Sequence, residues 1–558
     1  MTELQYSEFS LLRQKAGLTI SGAAELLEIS VSAIHQYESG EVTPRVAELQ
    51  VLKGMRSIPS EAESKPELRW LGFIDQVRDV AAIKESKKKK NRQSELGQFL
   101  TPHSVATFMA GLFPAPPKSV RLLDAGAGRG ALTAAFIARW RKLDGGSHIV
   151  AHSYEMDDLV LDDLRKTAQE FRRLEGIDTE IFDGDFIERA ATMICLGKGP
   201  RYTHAILNPP YKKINTASHH RAFMRAAGLE TVNLYSGFVG LAVALMEKGG
   251  EIVAIIPRSF CNGPYYQSFR RFIFARAAIR HIHLFDARNK AFKNDGVLQE
   301  NIIIRLTRSA PQAEVTISTS TDDTFSDYRE SVHAFTSIVS PADNESFIHI
   351  PTGDDSDLLT GPAFQYRLDE LGLAVSTGPV VDFRMKDDLR ADPEPGTVPL
   401  IYPGHFTRDG FEWPKPGFRK ANAIRHTRET AKWLMASGYY AVVRRFSSKE
   451  ERRRIVANVV EPAALPTKFV GFENHLNVLH ERNKPLDEFI ARGIAVYLNA
   501  TAVDLYFRRF SGHTQVNATD LRTMRYPSRD AIVALGQWAK RNPQPSQEAI
   551  DAQVAGLA

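Results

Sequence analysis

The 558-residue sequence contains only two cysteines, Cys195 and Cys261, far apart and without the paired spacing of a zinc site or a disulfide framework. No apolar run reaches the roughly 20 residues that a membrane-spanning helix needs. The opening Met1-Thr-Glu-Leu-Gln lacks the basic-then-apolar plan of a secretory leader. These absences set the expectation of a cytoplasmic protein with no metal and no membrane partner. Charge is not one-sided either: 71 Lys and Arg against 66 Asp and Glu leave a net charge of +5. That mild basic excess suits a nucleic-acid partner and does not identify one. Hydrophobic residues at 43% and charged residues at 25% exclude a disordered or collagen-like chain. The length calls for several domains, and no repeat of solenoid period is present.

Four regions follow along the chain. Residues 1–58 carry apolar residues at helical spacing, broken at Gly17, Ser30 and Gly40. Residues 59–92 form a linker with a basic run from Lys84 to Arg92, either a solvated segment or a contact to phosphates. From 93 to 310, strand candidates such as Val120–Leu123, His148–Tyr154, Glu180–Phe182, Thr203–Leu207, Glu251–Ile256, Ile279–Leu284 and Asn301–Leu306 alternate with amphipathic helices. That alternation predicts a doubly wound, Rossmann-like α/β domain. A polar stretch near Ser309–Asp357 precedes a less regular region, 360–530, rich in Arg, Lys, Gly, Pro and aromatic residues. The tail beyond Arg541 is either loosely ordered or a short closing helix.

Chemistry concentrates at the ends of the strand candidates. Val120-Arg-Leu-Leu-Asp124-Ala-Gly126-Ala-Gly128-Arg-Gly130 is a strand running into a glycine-rich turn that opens a helix. Such a turn lets backbone approach a ligand and aims unpaired N–H groups at it. The spacing is not the GxGxxG dinucleotide fingerprint. Glu155, ending the next strand, is placed to accept from ribose hydroxyls. Asp185, in Phe182-Asp-Gly-Asp185-Phe186, can accept from the amino group of a ligand's base, with the Phe186 ring nearby. Upstream, Leu96-Gly-Gln-Phe99-Leu-Thr101-Pro102 predicts a helix start with Thr101 as cap and Pro102 in first position, and leaves room for ligand contacts by Phe99 or Thr101.

The most specific stretch is Asn208-Pro209-Pro210-Tyr211, directly after the strand Thr203–Leu207. Consecutive prolines fix the backbone and remove two donors, leaving the carbonyl between them as an acceptor. An exocyclic amino group such as adenine's is a poor nucleophile, because its lone pair is delocalised into the ring. Acceptance of its hydrogens by the Asn208 side chain and the Pro209 carbonyl would aim that lone pair at an electrophile. Tyr211 could stack on a base rotated out of a duplex. The bland alternative is a rigid turn.

In this order the motifs resemble those of the gamma-class adenine-N6 DNA methyltransferases of type II restriction–modification systems, most strongly over residues 90–310. The resemblance implies a class I methyltransferase core using S-adenosyl-L-methionine. The expected cofactor contacts are Phe99, Thr101, Asp124, Gly126, Gly128, Glu155, Asp185, Phe186 and Asn208. The expected catalytic set is Asn208, Pro209, Pro210 and Tyr211, with Phe292 of a later motif against the other face of the adenine and Phe285 as fallback. One departure is Asp124-Ala-Gly-Ala-Gly-Arg129-Gly, where this class more often has Asp-Pro-Ala-Cys-Gly-Ser-Gly.

Residues 360–530 have the place and size of that class's mixed α/β target-recognition domain. Three stretches carry the likeness: Thr377–Arg384, Gly471–Asn477 and Ser511–Arg522. The chain as a whole resembles the BsuBI/PstI-like branch. Arg444, Arg445, Lys449, Arg452, Arg453 and Arg454 form a basic cluster expected to meet double-stranded DNA, mostly at phosphates. The small all-α N-terminal domain is similar to the Cro/phage-repressor helix-turn-helix, with Ser32, His35 and Gln36 on the polar face of its recognition helix. Dimerisation or docking is the alternative use of that module. The resemblance also implies a cognate restriction endonuclease on a separate chain, since no nuclease pattern stands in a convincing setting. Two rivals differ in class: a methyltransferase of ribosomal RNA or of protein glutamine, and a regulator built on an inactive methyltransferase fold.

Overall fold

The strands at 119–125, 148–155, 202–207 and 246–257 form where Val, Ile, Leu and Ala fit a largely buried pleated surface, and 177–183 adds a more exposed edge strand with only Ile177 buried. The structure is a computed structural model describing residues 8–15, 20–27, 29, 31–39, 42, 44, 101–115, 117–143, 147–215, 218–285, 300–341, 343–351, 361–407, 410–447, 451–512 and 514–558. Lys84–Arg92, Phe99, Phe292 and Lys449 lie outside the described residues. The chain divides into two compact units, one made of residues 1–190, 199–212 and 245–254, the other of the remainder.

In the first unit, helices α1 (Glu8–Lys15), α2 (Ile20–Leu27) and α3 (Val31–Ser39) bury Phe9, Ala23, Ala24, Ile34 and Tyr37 together. The Phe9 and Tyr37 rings meet edge to face at 5.2 Å. After α4 (His103–Gly111) come β1 (Ser119–Ala125), α5 (Ala131–Leu143), β2 (His148–Glu155), α6 (Asp158–Arg172), β3 (Ile177–Asp183), α7 (Phe186–Leu196), β4 (Tyr202–Leu207) and β5 (Met246–Pro257). These five strands are parallel neighbours in the order β3-β2-β1-β4-β5. The order reverses between β1 and β4. In a doubly wound sheet, ligands bind outside the carboxyl ends of the strands at that switch point.

The second unit holds β6 (Ala277–Phe285), β7 (Asn301–Arg308), β8 (Glu314–Ser320) and β9 (Arg329–Ala334). β6 runs antiparallel to β7 and parallel to β8, and β8 runs antiparallel to β9. The last two strands fall within the stretch that the sequence marks only as polar. β8 is rich in Ser and Thr, and β9, with Arg, Glu and His, is an almost fully exposed edge, so neither shows an apolar run. Further on, strands Ala374–Thr377, Leu476–His480, Tyr440–Arg444 and Ala457–Val460 form an antiparallel sheet in that spatial order. Helices Glu488–Leu498 and Arg529–Arg541 cross in close contact. A Cβ added at Gly493 would lie 1.9 Å from the Ile532 carbonyl oxygen, and one at Gly536 would lie 1.9 Å from that of Phe489. Only glycine permits that crossing. The tail closes as a helix, Gln547–Ala555, capped by the Ser546 side chain.

Candidate active site

The turn after β1 is held by backbone rather than by side chains. Gly126, Gly128 and Gly130 have φ of 75°, 56° and 87°, values that a side chain disfavours. Gly126 and Ala127 donate to the Tyr154 carbonyl at 2.8 and 3.0 Å, which ties the turn to the end of β2. Asp124, the last polar residue of β1, is buried, and its Oδ2 accepts from Thr133 Oγ1 of α5 at 2.7 Å. Its Oδ1 is buried with no hydrogen-bond partner. Burial pushes the Asp124 carboxyl up to about 7, against the lowering effect of Thr133. A buried acceptor left open in this way costs stability unless a ligand donates to it. Thr133 was not singled out from the sequence; its signal is a hydroxyl in the first turn of the helix behind the glycine loop.

Glu155, also buried, closes the β2 end over the same turn. Its Oε2 accepts from the Gly128 N–H at 2.8 Å, and its Oε1 accepts from the Met156 and Asp157 N–H groups, each at 2.8 Å. Burial raises its pKa, and those backbone donors oppose the rise. Asp185 accepts from the N–H groups of Ile187 and Glu188 at 2.7 and 3.3 Å, at the start of α7. Phe186 packs its ring on Tyr154 at 5.2 Å. Arg129, where the glycine turn departs from its family's usual pattern, turns its Nε to within 3.5 Å of the Asp163 carboxylate on α6. An orphaned carboxylate oxygen, a second carboxylate fixed by backbone and a glycine turn that leaves room for close approach fit a nucleoside-bearing ligand.

At the end of β4, Asn208 is half-buried, while Pro209 and Tyr211 are buried. Asn208 Nδ2 donates to Thr101 Oγ1 at 2.9 Å, and the Tyr211 hydroxyl donates to Asn208 Oδ1 at 3.1 Å. The amide is thereby oriented from both sides. Thr101 does not act as the expected helix cap: α4 starts at His103 with Pro102 in the N-cap position and no side-chain cap, and the threonine hydroxyl serves Asn208 instead. Tyr211 presents its hydroxyl to Asn208 and keeps its ring buried, and burial raises its pKa far above the usual phenol range. Phe285 is buried against His283 and Phe325, so it is part of its own unit's core.

The nucleic-acid candidates divide. Ser32, His35 and Gln36 are exposed on one side of α3, opposite the buried Ile34 and Tyr37. In the second unit Arg452 is exposed, whereas Arg444 pairs with Glu451. Arg445 Nη1 donates to the Asn474 carbonyl at 3.2 Å. Arg453 turns inward to the Ala500 carbonyl at 3.2 Å, and Arg454 is buried over the Phe507 ring. A cluster that is dense in arginine in the sequence is thus partly structural.

The parallel sheet order, the glycine turn with its two acids and the Asn-Pro-Pro-Tyr strand end define a class I methyltransferase fold. Residues 151–292 match the Eco57I restriction-modification methylase family, and residues 8–52 match a helix-turn-helix domain. The type II methyltransferase M.BsuBI of Bacillus subtilis is 51% identical over 81% of this chain and 91% of its own length. M.PstI of Providencia stuartii, also a type II methyltransferase, is 40% identical over 82% of this chain and 92% of its own. The solved structure of a DrdV–DNA complex is a distant likeness, at TM-score 0.47 and 13% identity over 95% of this chain and 66% of that one. The chain belongs to the type II methyltransferase family of M.BsuBI and M.PstI, and is a methyltransferase of restriction–modification. Among the described residues, no helix is long and apolar enough to cross a membrane.

Proposed function

We propose that this protein transfers a methyl group from S-adenosyl-L-methionine to N6 of an adenine in double-stranded DNA, and so protects that DNA from a separate restriction endonuclease in the same cytoplasm. The observation that carries this reading is the Asn208 amide, clamped between Thr101 and Tyr211 at the end of the strand beside the switch point. When bound, S-adenosyl-L-methionine supplies a methyl group activated by its sulfonium. The residues fitted to hold it are Asp124, through its open Oδ1, Glu155 and the Gly126–Gly128 turn, together with Asp185 and Phe186; Phe99 is a further contact that the motif suggests.

Methylating an exocyclic amine requires taking its lone pair out of conjugation. An amide oxygen has two lone pairs, so Asn208 Oδ1 can accept from Tyr211 and from the base amine together. The Pro209 carbonyl, its backbone fixed by Pro210, accepts the second hydrogen. Both acceptors are held before the substrate arrives, which is where such catalysis gains its rate. The target base must leave the duplex to reach them, with Tyr211 and Phe292 on its faces. The exposed Ser32, His35 and Gln36 support promoter binding by the N-terminal helices and repression of the protein's own operon. A gel-shift with the upstream region tests that part, and no affinity there would remove it.

The central test is transfer of tritiated methyl from the cofactor to unmethylated plasmid duplex, followed by nucleoside analysis. N6-methyladenine is expected. Label in cytosine, or label in ribosomal RNA or release factor and none in the duplex, would overturn the reading.

A further inference from the structure

The three stretches singled out in the C-terminal region, far apart in the chain, converge on one turn in the second unit. Thr377 pairs with Asn477, and Val380 bridges to Glu473. Asn474 N–H donates to the Val380 carbonyl at 2.9 Å, and Arg445 N–H donates to the His475 carbonyl at 2.9 Å. Phe446 bridges to Gln515, and Asn477 Nδ2 donates to the Val516 carbonyl at 2.7 Å. A Cβ at Gly378 would lie 2.2 Å from the Glu473 carbonyl oxygen, so the chain passes over the turn with no room for a side chain. The turn Glu473–His475 is therefore braced from three directions, which is the rigidity a recognition element needs.

On that braced turn sits an oriented histidine. The Glu473 side chain is fully buried, while that of His475 is 44% exposed. Glu473 Oε2 accepts from the His475 backbone N–H at 2.9 Å, which already satisfies the turn. Its Oε1 also accepts from His475 Nδ1 at 2.5 Å. The second bond adds nothing to the turn's backbone, but it fixes the ring and directs Nε2 to the opposite side. Phe446 lies against that ring at 4.9 Å, tilted by 38°, and is itself 43% exposed. A single exposed phenylalanine is unremarkable. Here it is paired with a histidine that a buried carboxylate holds in place. Arg384 and Lys420 are exposed, with Lys420 Nζ 2.8 Å from Asp382 on the segment that also braces the turn.

We propose that His475 and Phe446 form a base-reading element: His475 Nε2 hydrogen-bonds a base edge, and Phe446 packs on the neighbouring base or thymine methyl. The partner is duplex DNA, so the assignment rests on the function proposed above. A polar side chain beside an apolar one is the combination that distinguishes base pairs in the major groove.

The test compares wild type with His475→Ala and Phe446→Ala on unmethylated plasmid DNA, reading the modified motif by single-molecule sequencing and the KM for DNA and for cofactor. His475→Ala should raise the DNA KM about tenfold or more. It should also admit other bases at one position of the motif, with the cofactor KM within about twofold. Phe446→Ala should act at the same or the adjacent position, more weakly. His475→Ala takes a donor from the buried Glu473 carboxylate and should melt lower than wild type; Phe446→Ala, at a half-exposed side chain, should melt near wild type, so its motif readout stays free of a folding defect. A motif unchanged in both variants overturns the assignment, as does a uniform loss of binding with a shallower salt dependence, which marks a phosphate contact. Wild type that leaves duplex DNA unlabelled overturns the proposed function itself.

Discussion

Two carboxylates, one in each unit, are buried and pushed by that burial up to about 7, and they serve different ends. Asp520 is fully satisfied: Asn262 Nδ2 donates to its Oδ1 at 3.1 Å, and the Asn517 backbone and side chain donate to its Oδ2 at 2.8 and 3.3 Å. Asp124 has Thr133 on one oxygen and nothing on the other. The first holds a loop together, and the second keeps one buried oxygen unpaired. The units differ in the same sense. In the first, chemistry sits at strand ends that carry their own signatures. In the second, the turn Glu473–His475 is braced only where distant segments meet.

That contrast can be broken from several sides. The largest expected effect is from Asn208→Ala, which should lower kcat on every duplex by roughly 10³-fold. The motif should be unchanged in sequencing of the residual product, and an altered motif would mean the two units do not divide the labour. Asp124→Ala should weaken cofactor binding about 100-fold by calorimetry, the scale of a lost hydrogen bond to a charged group together with its partner's desolvation. Affinity equal to wild type would make Asp124 a structural residue like Asp520. Thr101→Val should lower kcat about tenfold by loosening the Asn208 amide, and Thr101→Ser should restore it. If cofactor affinity falls instead, Thr101 is the cofactor contact that the motif alone suggests.

The smallest effect concerns pH. Burial first, against hydrogen bonds from Asn517 and Asn262, raises the Asp520 pKa from 3.8 to about 7. The folded state then binds a proton more tightly than the unfolded chain, so this group's contribution to stability is present below pH 3.8 and is lost as pH rises to about 7. Asp520→Asn should flatten that part of the pH profile, shifting the melting temperature by a few degrees more favourably at pH 8 than at pH 5. Parallel profiles for variant and wild type would assign the slope to other groups.

The parallel strands, the glycine turn and the strand-end positions of Asp124, Glu155 and Asn208 were legible because each depends on local chemistry: apolar runs, φ values open to glycine, and prolines that fix a bend. The strands Glu314–Ser320 and Arg329–Ala334 were not: the first is an interior strand whose buried positions include Ser318 and Ser320 beside Val315 and Ile317, and the second is an exposed edge with charged residues, so neither carries an apolar run. Nor was Thr101's service to Asn208, since a threonine before proline and a helix looks like a cap whatever lies opposite it. The basic run 444–454 misled in the same way, because Arg454 is spent inward on Ser447 and Ser511.

The sequence alone determined the methyltransferase class of this chain, because a glycine turn at a strand end and a Pro-Pro bend demand backbone geometries that few residues can adopt. Tertiary structure decided which carboxylate stays open, which arginines face inward, and that residues near 378, 445, 473 and 515 form one platform. Those outcomes rest on contacts between ordinary polar residues far apart in the chain, and only the folded backbone sets which of them meet.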